Sequence, residues 1–505
     1  MSSFSTIVAT FLIAAPLRLM AQDGASVAAA VQSITPHDVK ARINLLAADS
    51  MRGRATGSPE LEQAASYIAG QFRAFGLAPA GERGAYLQRY RVDRVRLDTA
   101  TSRIAVAGGP TWRFGHEVLF PGGELVDAEV SAPLVLVSGL PEAAAAQRLD
   151  VKGAIVLIVP SARRRVPATE ANAVITALRD RGAAALLVLA LTPDSLWPEM
   201  TRRQGQVLTR RSWDPVTAPI LWVRGAAAAS LLAAQGVDLT ATRGAGHALR
   251  TTDLGVRLTL TVKSQLVTSV SAPNVVAVLE GSDPALTSEY LVFSAHMDHL
   301  GVERPSAGGD SINNGADDNA SGTTAVIELA EAFAQLQPRP KRSLIFLTVS
   351  GEERGLWGSS AFTASPPAPT GQMVADFNLD MVGRNWKDTI VVIGRQHSDL
   401  GATLARVNAA HPELRMTAID DLWPEERFFF RSDHYNFARL GVPALFFFNG
   451  VHDDYHKPSD EPAKIDAEKA SRIVRLVFYL GLEVANAAHR PKWNPDSYKQ
   501  IVEGR

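Results

Sequence analysis

"YLVFSAH" (residues 290–296), "GTTAVIELAEAFAQL" (322–336) and "RSLIFLTVSG" (342–351) follow one another as a short apolar run, a longer run with helical spacing, and a second short apolar run. Short runs without polar alternation describe strands buried on both faces. The pattern continues outward, to "NVVAVLEG" (274–281) on one side and to "VADFNLDM" (374–381), "VPALFFFNG" (442–450) and the helical "AEKASRIVRLVFYLGLEVANAA" (467–488) on the other. Strands that alternate with helices in this way predict an α/β fold, a parallel or mixed sheet with helices over both faces.

Upstream, residues 35–77 read as two helices joined by a Gly-rich turn, with Ser58-Pro59-Glu60 as a helix start. Strand-like runs begin near Tyr86. Between 115 and 255 the character shifts to "APLVLVSG", "VKGAIVLIVP" and "GAAALLVLA", with the helical "EANAVITALRDRG" between the last two, which predicts a separate, smaller α/β unit. The expected organisation is a discontinuous main domain, 35–114 and 256–490, an insert at 115–255, and a C-terminal tail at 491–505.

With 505 residues, 46% hydrophobic and 20% charged, the chain is long enough for two or three domains with cores of their own. Its 51 Lys and Arg against 52 Asp and Glu leave no cationic excess to hold nucleic acid or an anionic membrane. The absence of cysteine excludes a thiol nucleophile, a thiolate-ligated metal and any disulfide. Residues 1–21, "MSSFSTIVATFLIAAPLRLMA", carry an apolar stretch from Phe4 to Pro16 followed by Ala21, the pattern of a secretory signal peptide, so a secreted or periplasmic location is expected. No other segment reaches about 18 continuous apolar residues, and an integral membrane segment is not expected.

Ligands of an open α/β sheet bind beyond the carboxyl ends of its strands. Chemistry-bearing residues collect at those ends. "YLVFSA" leads into His296, with Asp298 two positions on and so expected on the same side. Asp317 and Asp318 stand just before a helix start, Glu352 and Glu353 follow "RSLIFLTVSG", Asp380 follows "VADFNL", and "VHDDYHKPSD" supplies His452 and His456. Singly, each is an ordinary cap or turn residue. Together they place several carboxylates in one crevice with little Lys or Arg among them, an arrangement that repels itself unless cations lie between. A metal site accounts for the set. Without thiolates, zinc is the first expectation, with manganese or cobalt as alternatives. Two ions suit it better than one, because a carboxylate can bridge a pair about 3.5–4 Å apart. The chemistry is then hydrolysis by a water held between cations, with an unbound carboxylate moving its proton.

The order of "HMDHLG", "NGADDNASGTTA", "SGEERGLWGS", "NLDMVGR" and "YHKPSD" resembles peptidase family M28, the co-catalytic zinc aminopeptidases with a phosphorylase/hydrolase-like α/β fold. The resemblance is strong over 270–485 and looser over 35–110. It implies that Asp318, rather than Asp317, bridges two zinc ions, that His296 and Asp380 complete one and Glu353 and His456 the other, that Glu352 is the general base, and that Asp298 orients His296. It implies a cis peptide at Asp318-Asn319, and it leaves His299, His434 and His452 as non-ligands, with Asp433 and Tyr435 near the substrate pocket. The fold it implies is a three-layer mixed sheet covered by helices. The segment 115–255 is similar to a protease-associated (PA) domain, through "DVKGAIVLIVP" and "ALRDRGAAALLVLA".

The expected activity is removal of N-terminal residues from peptides by an exported di-zinc aminopeptidase. Glu425 and Glu426 are candidates for a substrate ammonium, with exposed surface acids as the plainer reading, and Phe428 to Phe430 either line an apolar pocket or pack a strand. A carboxypeptidase or dipeptidase of the same family, a glutaminyl-cyclase-like enzyme and a non-catalytic scaffold are the alternatives. The full ligand set stands against the last two.

Overall fold

The computed structural model describes residues 14–504 apart from 122–124, 140–141, 163–167, 203–204, 214–216, 247 and 304–308. Residues 1–13 of the expected leader therefore lie outside the described residues. The described chain begins in a helix, Ala14–Ser33. Among the described residues no helix is long and apolar enough to cross a membrane. The chain divides into two compact units, 1–90 with 271–505, and 91–270.

In the first unit, α1 (Pro36–Leu46) and α2 (Pro59–Ala74) start where Thr35 and Ser58 accept backbone N–H groups and a proline fills the first helical position. The central sheet comes from the second half of the chain: β1 (Ser264–Leu279), β2 (Tyr290–His296), β3 (Ser343–Val349), β4 (Met373–Leu379), β5 (Thr389–Ile393), β6 (Thr417–Ile419) and β7 (Ala444–Phe447). Between them run α3 (Gly322–Ala334), α4 (Trp357–Ala364) and α5 (His434–Ala438), and α6 (Ala467–Asn486) follows β7. Across the sheet the order is β6-β5-β7-β4-β2-β3-β1. The middle four, β7, β4, β2 and β3, are mutually parallel, while β1 runs antiparallel to β3 and β5 antiparallel to β7, with β6 parallel to β5.

Buried apolar residues alternate between the two faces. Phe293 of β2 stacks on Phe346 of β3, centroids 5.5 Å apart, and meets Phe333 of α3 at 5.3 Å, while Phe333 lies 4.5 Å from Phe478 of α6. The neighbours Val292, Ile345 and Leu347 instead pack with Phe362 of α4 and Phe437 of α5. Helices thus cover both faces of a mixed sheet, as the unbroken apolar runs require.

Because His296 pairs with Val349, and Leu379 with Phe447, the carboxyl ends of the parallel strands finish level with one another. The turn before α3 is drawn to the same place. Gly322 sits so close to β4 that a Cβ would come 2.1 Å from the Leu379 carbonyl. Asn319 accepts a hydrogen bond from the Gly322 N–H and donates one to Leu379 O. The Asp318-Asn319 peptide is cis, as the resemblance implies.

The second unit is built on a mixed sheet. Strands Ala128–Gly139, Ile155–Pro160, Ala185–Leu189 and Ile220–Val223 are parallel in that order, and Arg250–Val262 pairs antiparallel with the first. It extends over 91–270, whereas the insert expected from composition covers 115–255. The chain leaves through the strand Leu87–Leu97, whose exposed and buried residues alternate across Tyr90 without a break, so composition holds no mark of the boundary. At the other end, 491–505, expected as a tail, includes the helix Pro495–Ile501, and Ile501 is buried in one cluster with Met381 and Phe428.

Candidate metal centre

Each strand end delivers what the alternation of the chain promises. His296 closes β2, Glu352 and Glu353 lie in the turn after β3, Asp380 follows β4, Asp318 sits in the turn leading into α3, and His456 lies in the loop after β7. His296 Nε2 is 3.3 Å from Asp318 Oδ1 and 3.4 Å from Asp380 Oδ1. His456 Nε2 is 3.2 Å from both Asp318 Oδ2 and Glu353 Oε2. Asp318 therefore turns one oxygen to each group.

These distances test whether a metal fits. Ligand atoms held about 2.0–2.2 Å from a tetrahedral zinc lie about 3.3–3.6 Å from one another, longer than ordinary hydrogen bonds. All four distances fall at or close to that value. The donors are two imidazoles and three carboxylates, a suitable set for zinc without thiolates.

The acids could not stand together uncompensated. Burial alone would favour neutral His296, yet Asp380 and Asp318 hold its pKa well above the usual imidazole value. Burial would likewise raise Asp318, but His299, His296 and His456 hold it well below the usual carboxylate range. Asp380 is pushed up by burial against the pull of His296. The imidazoles thus offset the clustered carboxylates, as cations between them would.

Glu352 stands apart from both groups. Among the described residues its carboxylate has no hydrogen bond or ion pair, and burial, with Asp433, Asp380 and Glu353 nearby, raises its pKa well above the usual value despite His296. Its backbone N–H donates to Asp298 Oδ1 at 3.3 Å.

The structure adds a contact for His299 and gives Asp298 a different partner from the one expected. His299, expected to lie outside the ligand groups, has Nδ1 at 2.7 Å from Glu353 Oε1 and 3.8 Å from Asp318 Oδ2. The first is a hydrogen-bond length, shorter than a ligand-to-ligand spacing, so His299 holds the Glu353 oxygen that faces away from His456. Asp298 was expected to orient His296 through its carboxylate. Instead His296 Nδ1 meets the Asp298 backbone carbonyl at 3.1 Å, and the carboxylate, 3.8 Å away, accepts from Thr56 Oγ1 at 2.6 Å. β2 ends at His296, so the two-residue periodicity that predicted a shared side no longer applies.

The remaining candidates lie around the centre. His452 Nε2 is 3.3 Å from Asp317 Oδ2, behind the bridging turn. Asp460 accepts the N–H groups of Asp317 and Asp318, and Ser432 Oγ donates to Asp380 Oδ2 at 3.0 Å; sequence patterning marked neither residue. Glu425 and Glu426 are exposed, and Phe428 and Phe429 are buried in an aromatic cluster. Met381 and His456, at φ 54° and 57°, adopt the left-handed conformation that side chains disfavour, beside and at ligand positions.

His434 lies among the aromatics, 4.5 Å from Phe446 and 4.9 Å from Phe429. Burial lowers its pKa to about 3 from 6.5. Below 6.5 the unfolded chain takes up a proton that the folded one refuses, so stability falls as pH drops through 6.5 and levels off near 3. At pH 5 the loss is about 2 kcal/mol. His434→Phe is expected to flatten this part of the Tm profile in thermal melts between neutral pH and pH 5, and an unchanged slope would count against it.

Residues 274–481 match the model of peptidase family M28. A "probable zinc metalloprotease" of Pyrenophora tritici-repentis is 28% identical over 214 residues, 36% of this chain and 43% of that protein. A "probable leucine aminopeptidase" of Arthroderma otae is 26% identical over 212 residues, 40% of this chain and 56% of that protein, so the chain spans about half the length of these curated relatives. Among solved structures, an aminopeptidase from Aneurinibacillus sp. strain AM-1 is 21% identical, with a TM-score of 0.46 and coverage of 92% of this chain and 96% of that one. A zinc aminopeptidase from Bacillus subtilis is 19% identical, with a TM-score of 0.46 and coverage of 89% and 95%. The segment that matches the family M28 model contains His296, Asp318, Glu352, Glu353, Asp380 and His456.

Proposed function

We propose that the chain is an exported di-zinc aminopeptidase that hydrolyses N-terminal residues from peptides. The observation that carries this reading is Asp318, which faces His296 with one carboxylate oxygen and His456 with the other while Glu352 stays unengaged beside them. Zinc held by the two groups would polarise the scissile carbonyl and make water a nucleophile near neutral pH. Glu352 takes the proton from the attacking water and returns it to the leaving amine. Asp318, fixed by Asp460 through two backbone N–H groups, keeps the two donor groups at a constant separation. His299 and Ser432 each hold the oxygen of a ligand carboxylate that faces away from its group.

Cleavage at the amino end is supported by the name of the Arthroderma relative. Export is supported by the apolar stretch Phe4 to Pro16 ahead of Ala21. The arrangement of the first unit supports a three-layer, phosphorylase/hydrolase-like fold, and the parallel strands Ile155–Pro160 and Ala185–Leu189 support a PA-like reading of the second.

The decisive experiment uses protein recovered from the exported fraction, whose mature N-terminal residue reports where the leader ends. Peptides with free and acetylated N-termini are compared, with metal removed by chelator and restored by zinc. The expected result is release of single N-terminal residues from free peptides only, abolished by chelation and regained with zinc. Release from the carboxyl end, or indifference to acetylation, would sink the aminopeptidase reading.

A further inference from the structure

The turn before α2 is bent by three successive left-handed residues, Arg52, Gly53 and Arg54, at φ 44°, 68° and 47°. Two of the three bear side chains, a conformation that persists only where the surroundings impose it. At Gly53 they do so by contact: a Cβ there would lie 2.3 Å from Asn313 O and 2.8 Å from Gly301 O. The turn drives the Arg54 side chain inward, where it is 1% exposed. Among the described residues its guanidinium donates to four carbonyls and to no carboxylate: Nε to Met297 O at 2.9 Å, Nη1 to Leu46 O and to Asn314 O at 2.8 Å, and Nη2 to Gly315 O at 3.0 Å. Two residues on, Thr56 Oγ1 donates to Asp298 Oδ2 at 2.6 Å.

The carbonyls belong to the loops that matter. Met297 lies between His296 and Asp298, and Asn314 and Gly315 lead into Asp317 and Asp318. One planar fork therefore spans the loop that presents His296 and the turn that presents the shared carboxylate, whose facing atoms are 3.3 Å apart. Although burial lowers its pKa to about 10, with Asp298, Asp318, Asp460 and Glu353 acting against that, the guanidinium stays charged at neutral pH amid the acids.

We propose that Arg54 and Thr56 are positioning residues of the metal centre: they set the separation of the His296 loop and the Asp318 turn, so the segment 53–56, outside the family-matched 274–481, completes the site. This rests on the metal-binding reading above.

The test measures zinc affinity by chelator competition on the full chain, at a temperature where circular dichroism reports each protein folded. Arg54→Lys keeps the charge but cannot span four carbonyls, and is expected to bind zinc about 10- to 100-fold more weakly. Thr56→Val, which removes the hydroxyl at nearly constant volume, is expected to do the same, and Thr56→Ser to restore binding. A merely structural brace would lower Tm and leave the affinity of the folded protein, and the serine rescue, without effect. Wild-type affinity in folded Arg54→Lys and Thr56→Val overturns the proposal, and if Arg54→Lys does not fold the threonine pair decides it. Failure of the wild-type chain to bind zinc would instead overturn the metal-centre reading itself.

Discussion

A Glu352→Gln variant is expected to fold, to hold the same zinc as the wild type and to lose about 10²- to 10⁴-fold in kcat. The amide keeps the shape of the side chain and removes only its capacity to take a proton. Among the described residues nothing else in the centre is hydrogen-bonded to that carboxylate, and the atoms at ligand-like spacing come from His296, Asp318, Asp380, Glu353 and His456. Its backbone is fixed independently, by the N–H donated to Asp298 and by Gly351, whose φ of 73° lets the chain turn against Trp357. Glu353→Gln is the control with the opposite signature, lost zinc along with lost rate. Zinc content by elemental analysis and kcat at saturating peptide separate the two. A Glu352→Gln enzyme that turns over at nearly the wild-type rate would end the assignment of the base.

What made this pair readable was its place rather than its composition. "RSLIFLTVSG" is buried on both faces, so its end could be located from the run of apolar residues alone, and parallel neighbours bring such ends together. His296, Asp380 and the acidic pair were legible for that reason. The paired acids before α3 were legible as a place, but the choice of Asp318 over Asp317 came from the resemblance, because adjacent residues in an irregular turn have no periodicity to separate them. The structure turns Asp317 away, to accept from Gly383 N–H and face His452. Beyond the strand ends the reading weakened. The orientation of Asp298 and the hydrogen bond of His299 depend on a loop with no repeat, and the strand rule carried one step too far misplaced the former. Arg54 and Thr56 were illegible in principle, since the metal-centre loops they hold, at Met297, Asp298, Asn314 and Gly315, are more than 240 positions away and a buried guanidinium on carbonyls has no local signature.

The same reasoning makes Asp318 the position where one substitution should cost most. Its two oxygens serve different partners, so Asp318→Ala is expected to empty both zinc positions, whereas Asp380→Ala and Glu353→Ala should each weaken mainly one. Asp318→Asn refines the point: its single oxygen can face only one group, and the variant should retain at most one ion per chain. Metal that binds only the folded state stabilises it, by about 4 kcal/mol when zinc is a thousandfold above its dissociation constant. Chelated wild-type protein should therefore gain Tm when zinc is added back, Asp318→Asn should gain less, and Asp318→Ala almost nothing. The turn itself should survive these changes, because Asp460 holds it through the backbone N–H groups of 317 and 318 and Asn319 pins it to β4, so circular dichroism of all three should superimpose. If Asp318→Ala still bound two ions and still melted higher with zinc, the shared carboxylate would not be a bridge, and the centre would have to be rebuilt as two separate sites.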